Sequence, residues 1–456
     1  MASTDAPDGF VAAFAAAGGV VAADLHVRCP ARGVRGVFVR RAAGVPRPGT
    51  PLFRVPAHMA ITVDTAMRSD IVRRCCALLD APDVASDAVA LALFIATERA
   101  IGRASPWRWY IEALPRAGAG ALFFGDSDLA ALRGTPLGVA AEAKERQLQR
   151  HFGCMAAALE QWLLEYRGSC RAVSFEDYKW AYSMVLSRSV SLPSPGQPGC
   201  DLQALLPLFD MANHSSTPSA HWIPEPDGSV SICAGDMFIP NGTDDPTMAE
   251  ICVSYGRKPN TEWLYEYGFI PTTNGSDAWP YLAHLSGSPQ LVHIKTMWMH
   301  ELGLPRQVLI ADPDGCDDGT GERELLPRSA LLTLSLAALD DTSDACTRAV
   351  GDVRPDHPYF SVADILVDDD DKLLNVPGLR ALSLDTCGAD LSEAAASMRA
   401  ALGEFPCARQ PVRAYLAGGA ALTARIAAAV SALRASGPSS PVADPAPVSL
   451  PGPPTR

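Results

Sequence analysis

The spacing of apolar positions changes period several times along the chain. Near the start, Val37–Arg40 and Pro51–Val55 are rich in β-branched and aromatic residues. They flank Gly44–Gly49, which holds two prolines, so both segments read as strands. From about Thr65 to Arg188 the apolar positions recur at helical spacing. Ser86–Ile101 predicts a helix with Ser86 as its N-cap. Val139–Tyr166 predicts a long amphipathic helix, kinked at Gly153 and closed by Gly168. Ser174-Phe-Glu-Asp177 reads as a capping box, with Asp in place of Glu, ahead of a helix over Tyr178–Arg188. Strand signals return at Leu202–Phe209, Ser229–Cys233 and Ile251–Tyr255, and Asn260 is expected to cap a short helix closed by Gly268. Beyond Pro271 the pattern is helical again, most clearly at Leu326–Leu339, Leu391–Leu402 and Val412–Ala435. The Pro/Ser/Ala-rich tail from Ser436 predicts disorder. This order predicts an α+β fold. A β-rich domain over 10–270 is split by a helical insert at about 65–188, and a helical domain over 271–435 precedes a tail at 436–456.

Composition narrows the function. The 456 residues are 48% hydrophobic and 20% charged, the balance of a globular chain. Lys and Arg number 38 against 51 Asp and Glu, a net charge of −13. That argues against a general nucleic-acid binder, whose phosphate contacts need a basic surplus. The longest uncharged apolar stretch, Phe10–Ala23, is too short to span a bilayer. It follows Asp5 and Asp8 with no preceding Lys or Arg, the wrong sign for a targeting peptide, and reads as a buried Ala-rich helix ending at Gly18–Gly19. The 12 cysteines are scattered, with only Cys75 and Cys76 adjacent and no Cys-x-x-Cys. Disulfide frameworks and zinc clusters are therefore not expected, and reduced thiols in the cytoplasm or nucleus are.

Taken singly, the candidate motifs are weak. Gly33-Val-Arg-Gly36 is a glycine pair before a strand, without the βαβ unit a dinucleotide site requires. Asp312-Pro-Asp-Gly315-Cys-Asp317 fails the EF-hand register, and Asp368–Asp371 reads as a solvated charge run. Asp210-Met-Ala-Asn213-His214 follows an apolar strand and could be a turn. Tyr255 ends another strand, and Trp263, Tyr265, Tyr267 and Phe269 are dense enough to be packing.

Their order in one chain is informative. The glycine turn, helical insert, Ser187-Arg188, Asp210-x-x-Asn213-His214, Ser254-Tyr255-Gly256, Asn260 and Tyr267-Gly268-Phe269 together resemble the SET-domain protein methyltransferases. The resembling branch is that of the plant Rubisco large-subunit lysine methyltransferase and the actin-histidine methyltransferase. Trp107-Arg-Trp-Tyr110-Ile111-x-x-Leu114-Pro115 resembles that branch's insert signature. The likeness runs over about Phe10–Phe269 and is carried beyond that only by the helical pattern. It implies an S-adenosylmethionine-dependent enzyme with a protein substrate, needing no metal, nucleic acid or membrane. It implies that Gly33, Val34, Arg35, Arg188, Asn213, His214, Tyr267 and Phe269 hold the cofactor. Tyr255 would stand beside the transferred methyl, and Asp210 and Val190 would line the substrate channel. Met248-Ala249-Glu250 departs from the branch's usual Gly-Glu-Glu, and Pro240–Pro246 lengthens the loop before it.

The expected acceptor is a lysine of a non-histone protein. The resembling histidine enzymes carry a polar Asn two residues after the pocket arginine, where this chain has Val190, which offers an imidazole no hydrogen bond. A non-catalytic SET-derived binding protein would be expected to have lost the tyrosine or the Asn-His pair, and all three are present.

Overall fold

A computed structural model describes residues 9–29, 34–40, 46–79, 87–166, 168–194, 201–236, 247–285, 288–301, 307–311 and 379–435, together with Pro305, Thr333, Leu334 and Ala337. Gly33, Ser86, the loop 240–246, the acidic stretches 312–317 and 368–371 and the tail 436–456 lie outside the described residues. So does all but Thr333, Leu334 and Ala337 of the helix expected at 326–339. The chain divides into two compact units, Met1–Thr272 with Cys407–Val412, and Thr273–Pro406 with Arg413–Arg456.

The first unit is built on three small sheets. One has strand order β1(Val20–Val21), β4(Pro51–Val55), β10(Val230–Ala234), β9(Ala220–Pro224). A second has order β2(Leu25–Arg28), β3(Gly36–Arg40), β11(Met248–Val253), β8(Asn213–His214). The third joins β5(Ile61–Thr62), β7(Asp201–Leu205) and β6(Ser189–Pro193). Among the described residues, all pairings in these sheets are antiparallel except β11 with β8, which is parallel. Each sheet thus joins strands from before the insert to strands from after it, and the insert is an excursion out of one β domain. Its helix Asp87–Ile101 is apolar on nearly every side and correspondingly buried around its circumference, packed against the helix Phe175–Arg188.

Several local expectations hold and several shift. The capping box is present: Ser174 Oγ accepts from the Asp177 amide, and the Asp177 carboxylate accepts from the Ser174 amide at 3.0 Å. The long helix starts at Pro136 behind a Thr135 cap and runs unbroken through Gly153 to Glu165. The helix Asn260–Tyr267 is preceded by Pro259, whose carbonyl takes the first amides, so Asn260 is its first helical residue and not its cap. Gly268, at φ +78°, closes it as expected. The strand expected at Leu202–Phe209 ends at Leu205 because the buried Leu208 turns the chain at φ +73°, ahead of the 3₁₀ turn Phe209–Met211. Such a backbone costs a non-glycine residue about 1–3 kcal/mol.

The second unit pairs β12(Ala278–Leu282) with β13(Gln307–Ala311) and carries the helices Leu379–Glu404 and, over most of its length, Gln410–Ala435. Trp279 stacks on Tyr415, with ring centroids 6.1 Å apart, and the Tyr281 hydroxyl donates to Asp390 at 2.6 Å. The stretch Gln410–Ala432 is long and apolar enough to cross a membrane by length and composition alone. Half of its most apolar window is buried inside the molecule, as in a core helix.

Asp177 anchors the insert. Burial opposes its ionisation, but two bonds from Arg171, at 2.5 and 2.6 Å, and the bonds from Ser174 outweigh burial and bring the carboxyl down to about 2. Because its folded value lies below the unfolded one, its contribution is present above pH 4 and is lost as pH falls toward 2. Asp177→Asn is expected to lower stability at pH 7 by about 1–2 kcal/mol and to flatten the acid limb between pH 4 and 2, read by denaturant unfolding at each pH.

Candidate active site

Two cavities open in the first unit. The larger, about 1100 Å³, is walled by Val34, Arg35, Asn213, Phe269 and residues of the insert, among them Glu98, Arg99 and Trp180. The smaller, about 370 Å³, is walled by Val190, Phe209, Ala212, Trp222, Val253 and Lys258. Ser187, Arg188, Asp210, Tyr255 and Tyr267 line both. These residues come from the end of the Phe175–Arg188 helix, the turn after Leu208, the end of β11 and the Asn260–Tyr267 helix.

Strand pairing accounts for this convergence. β8 lies parallel to β11 with Asn213 opposite Cys252 and His214 opposite Val253. That register lets the Tyr255 amide donate to His214 Nδ1 at 3.2 Å and the Tyr255 hydroxyl donate to the Ala212 carbonyl at 2.7 Å. Beneath them Trp263 is a buried hub. Its ring centroid lies 4.5 Å from His214, 6.1 Å from Tyr255, 5.2 Å from Tyr267 and 5.5 Å from Phe269. The aromatics are packing, as their density suggested, and the packing is what fixes the tyrosines in the cavity walls.

The structure brings Val34, Arg35, Arg188, Asp210, Asn213, Tyr255, Tyr267 and Phe269 around the larger cavity and puts Val190 in the smaller one. His214 lines neither. It is set behind Tyr255, and burial lowers its pKa, partly offset by a bond to the Val253 carbonyl, so the ring is neutral at pH 7 and its Nδ1 can accept. Asn213 Nδ2 donates to the Arg35 carbonyl at 3.2 Å and to Glu250 Oε1 at 2.7 Å. Glu250 supports Asn213 through that bond, and burial raises its pKa.

The electrostatic centre is the pair Arg188–Asp210. Arg188 donates to the Asp210 carbonyl at 2.7 Å and lies 3.5 Å from its carboxylate, whose side chain is fully buried. Burial raises the Asp210 pKa against the pull of Arg188, Tyr110 and Arg35. Burial also pushes the Tyr255 phenol well above its ordinary value, which keeps it protonated and able to donate to Ala212. Among the described residues, Asp210 Oδ1 and Arg188 Nε have no hydrogen-bond partner although both atoms are buried. An orphaned buried acceptor and donor cost about 1–3 kcal/mol each, a cost that a ligand bearing the matching groups would relieve.

Two residues that matter here carried a weak signal in the sequence. Tyr110 stands in the insert motif, and Glu250 is the one residue of Met248-Ala249-Glu250 that keeps the Gly-Glu-Glu pattern. Phe209 and Trp222, which wall the smaller cavity, look like ordinary strand residues.

No family model matches the chain. It is similar to the actin-histidine N-methyltransferases of Homo sapiens (24% identity over 225 residues) and Danio rerio (25% over 225), covering 49% of this chain and 36% of each relative. That of Drosophila melanogaster is 24% identical over 203 residues, covering 41% of this chain and 36% of the relative. The chain thus spans about a third of the length of the curated relatives it matches. Among solved structures, the SET domain of LSMT bound to lysine and AdoHcy superposes with a TM-score of 0.63 at 17% identity, covering 94% of this chain and 91% of that one. Rubisco LSMT bound to AdoMet gives 0.60 at 17%, covering 96% and 92%.

Gly36 tests the geometry. A Cβ there would lie 2.6 Å from Glu250 Oε1 and 2.8 Å from Asn213 Nδ2. Gly36→Ala in an ordinary strand would gain stability; here it is expected to lower the melting temperature by several degrees in a thermal scan, since the two side chains must give way. The fold that sets these contacts is the SET-domain fold of the Rubisco LSMT structures.

Proposed function

We propose that the chain is an S-adenosylmethionine-dependent methyltransferase acting on lysine side chains of a non-histone protein in the cytoplasm or nucleus. The observation that carries this reading is the meeting of two separate cavities at Arg188, Asp210 and Tyr255. A donor and an acceptor entering from opposite sides would meet there, and methyl transfer is chiefly a matter of such alignment.

The residues fit the cofactor. Arg188 Nε is a buried donor without a protein partner, suited to a carboxylate. Asn213, Arg35 and Val34 would hold the amino-acid end and the ring system, with Tyr267 and Phe269 flanking them. S-adenosylmethionine, when bound, supplies a methyl group on a positively charged sulfur. Tyr255 has its proton committed to the Ala212 carbonyl, which leaves the phenol oxygen free to accept weak C–H···O contacts. His214 and Trp263 pack against its ring and hold it in place.

A lysine, with a free pKa of about 10.4, must give up its proton before it can attack, at a cost of roughly 4–5 kcal/mol at pH 7. In the smaller cavity an apolar wall of Val190, Phe209, Ala212, Trp222 and Val253 and the nearby Arg188 guanidinium favour the neutral amine, against the pull of an ionised Asp210 toward the ammonium. Asp210 Oδ1 is available to accept one of its N–H groups. Histidine is the second reading, because the relatives at 24–25% identity are actin-histidine enzymes. Val190, half-buried in the acceptor cavity, gives an imidazole no polar partner and favours lysine.

Incubation with labelled S-adenosylmethionine and a lysate, followed by mass spectrometry of the labelled band, is expected to find the label on lysine Nζ; label on histidine would select the second reading. Tyr255→Phe is expected to keep cofactor affinity and cut the transfer rate, so a variant of wild-type rate would remove Tyr255 from the chemistry. Calorimetry with S-adenosylmethionine is expected to show Asn213→Ala binding weaker by about 1–3 kcal/mol, through loss of the bonds to Arg35 and Glu250 that order the cradle.

A further inference from the structure

The insert motif Trp107–Pro115 has no part in the reading above, yet it reaches the centre of the site. Tyr110 sits on the short helix Arg108–Ile111, is fully buried, and donates its hydroxyl to Asp210 Oδ2 at 3.0 Å across 100 residues of sequence. The helix is held in place independently of that bond. Trp107 packs edge-on against Phe94, Trp109 packs at a tilt against Phe10, and the Trp180 indole donates to the Pro115 carbonyl at 2.9 Å. The hydroxyl is therefore delivered by a rigid element. On the far side of Asp210, Arg188 bonds the backbone carbonyl and stands 3.5 Å from the same Oδ2. Both fixed partners engage Oδ2, and Oδ1 is left without one in a residue that walls both cavities.

We propose that Tyr110 is a positioning residue for the acceptor: its hydroxyl locks the Asp210 carboxylate in the orientation that reserves the second oxygen for the N–H of the incoming amine. The insert would thereby act on the acceptor cavity through one hydrogen bond. The proposal rests on the acceptor reading given above, and deepens it.

The charged and titratable groups that bear on Asp210 are Arg188 at the end of its helix, Arg35 ahead of β3, Tyr255 beyond β11 and Tyr110 itself. Burial raises the Asp210 pKa, and the Tyr110 bond, like Arg188 and Arg35, works against that rise. Burial holds Tyr110 protonated far above its ordinary range, so it acts as a donor at every working pH. Removing the hydroxyl therefore leaves Asp210 protonated at higher pH, and a protonated carboxyl accepts poorly from an ammonium or amine.

Two readouts separate the positioning role from the acceptor reading. With carboxyl-labelled aspartate, NMR follows Asp210 in the full chain, assigned by its loss in Asp210→Asn. In Tyr110→Phe its titration is expected to move up by about one pH unit, a tenfold change in its ionisation constant. Site-specific replacement of Tyr110 by 3-fluorotyrosine, a stronger donor of nearly the same shape, is expected to move it down and serves equally if the Phe variant does not fold. Calorimetry with free L-lysine and S-adenosylhomocysteine is then expected to show the acid limb of lysine binding moving with the titration, with cofactor affinity unchanged. A titration that moves as stated while lysine fails to bind even the wild type supports Tyr110 as positioning Asp210 and counts against lysine as the acceptor. An Asp210 titration unmoved by both replacements overturns the proposal, as does a loss of lysine affinity that is equal at every pH.

Discussion

The site depends on one short parallel pairing. β8 is only Asn213 and His214, and its register on β11 sets the distance between the turn that carries Asp210 and the strand end that carries Tyr255. A two-residue strand has little ladder of its own, and side chains and flanking amides reinforce it. Ser219 Oγ donates to the Glu250 carbonyl at 3.0 Å and accepts from the Cys252 amide at 2.9 Å, while the Ser215 amide donates to the Val253 carbonyl at 3.0 Å. Tyr255 then adds two bonds back to the β8 side, through its amide and its hydroxyl. A slip of one residue would exchange the faces of Asn213 and His214, which puts the amide under the aromatic hub and the imidazole in the cavity. The one parallel pair among the described strands is thus the constraint from which the geometry of both cavities follows.

Around that pairing the charges are arranged to be incomplete. Asp210 is buried deeply enough that its carboxyl resists ionisation, and Arg188 offers it one strong contact and leaves Nε unused. A structure free to optimise itself would close this pair on itself, as Arg171 and Asp177 do a helix length away with two short bonds. The contrast separates a pair closed on itself within the insert from one that leaves a buried donor and a buried acceptor without partners, the capacity on which the proposed ligand binding draws. The strained backbone at Leu208, two residues before Asp210, is a further cost borne at this turn.

Much of this was legible in the sequence because it is written in local signals. The Ser174 capping box, the Gly268 helix stop, the strand Pro51–Val55 and the apolar helix before Ile101 each rest on residues close in the chain. The cavity residues were legible only through the resemblance, since Asp210, Asn213 and Tyr255 look individually like turn and strand-end residues. What could not be read is of long range. Nothing local tells that Tyr110 reaches Asp210, that Glu250 supports Asn213, or that His214 lies behind the tyrosine and not beside it in the wall. The end of β7 was misplaced for a related reason: an apolar run such as Leu205–Phe209 reads as strand, and only packing decides that Leu208 adopts a positive φ inside it.

On the proposed function, the two cavities are the donor and acceptor halves of one site. A crystal structure of the protein with S-adenosylhomocysteine and free lysine tests it most directly. The nucleoside product is expected in the larger cavity, with its carboxylate on Arg188, and the lysine amine is expected to enter by the smaller cavity and lie between Tyr255 and Asp210. Either ligand bound elsewhere, or both in the same cavity, would contradict it.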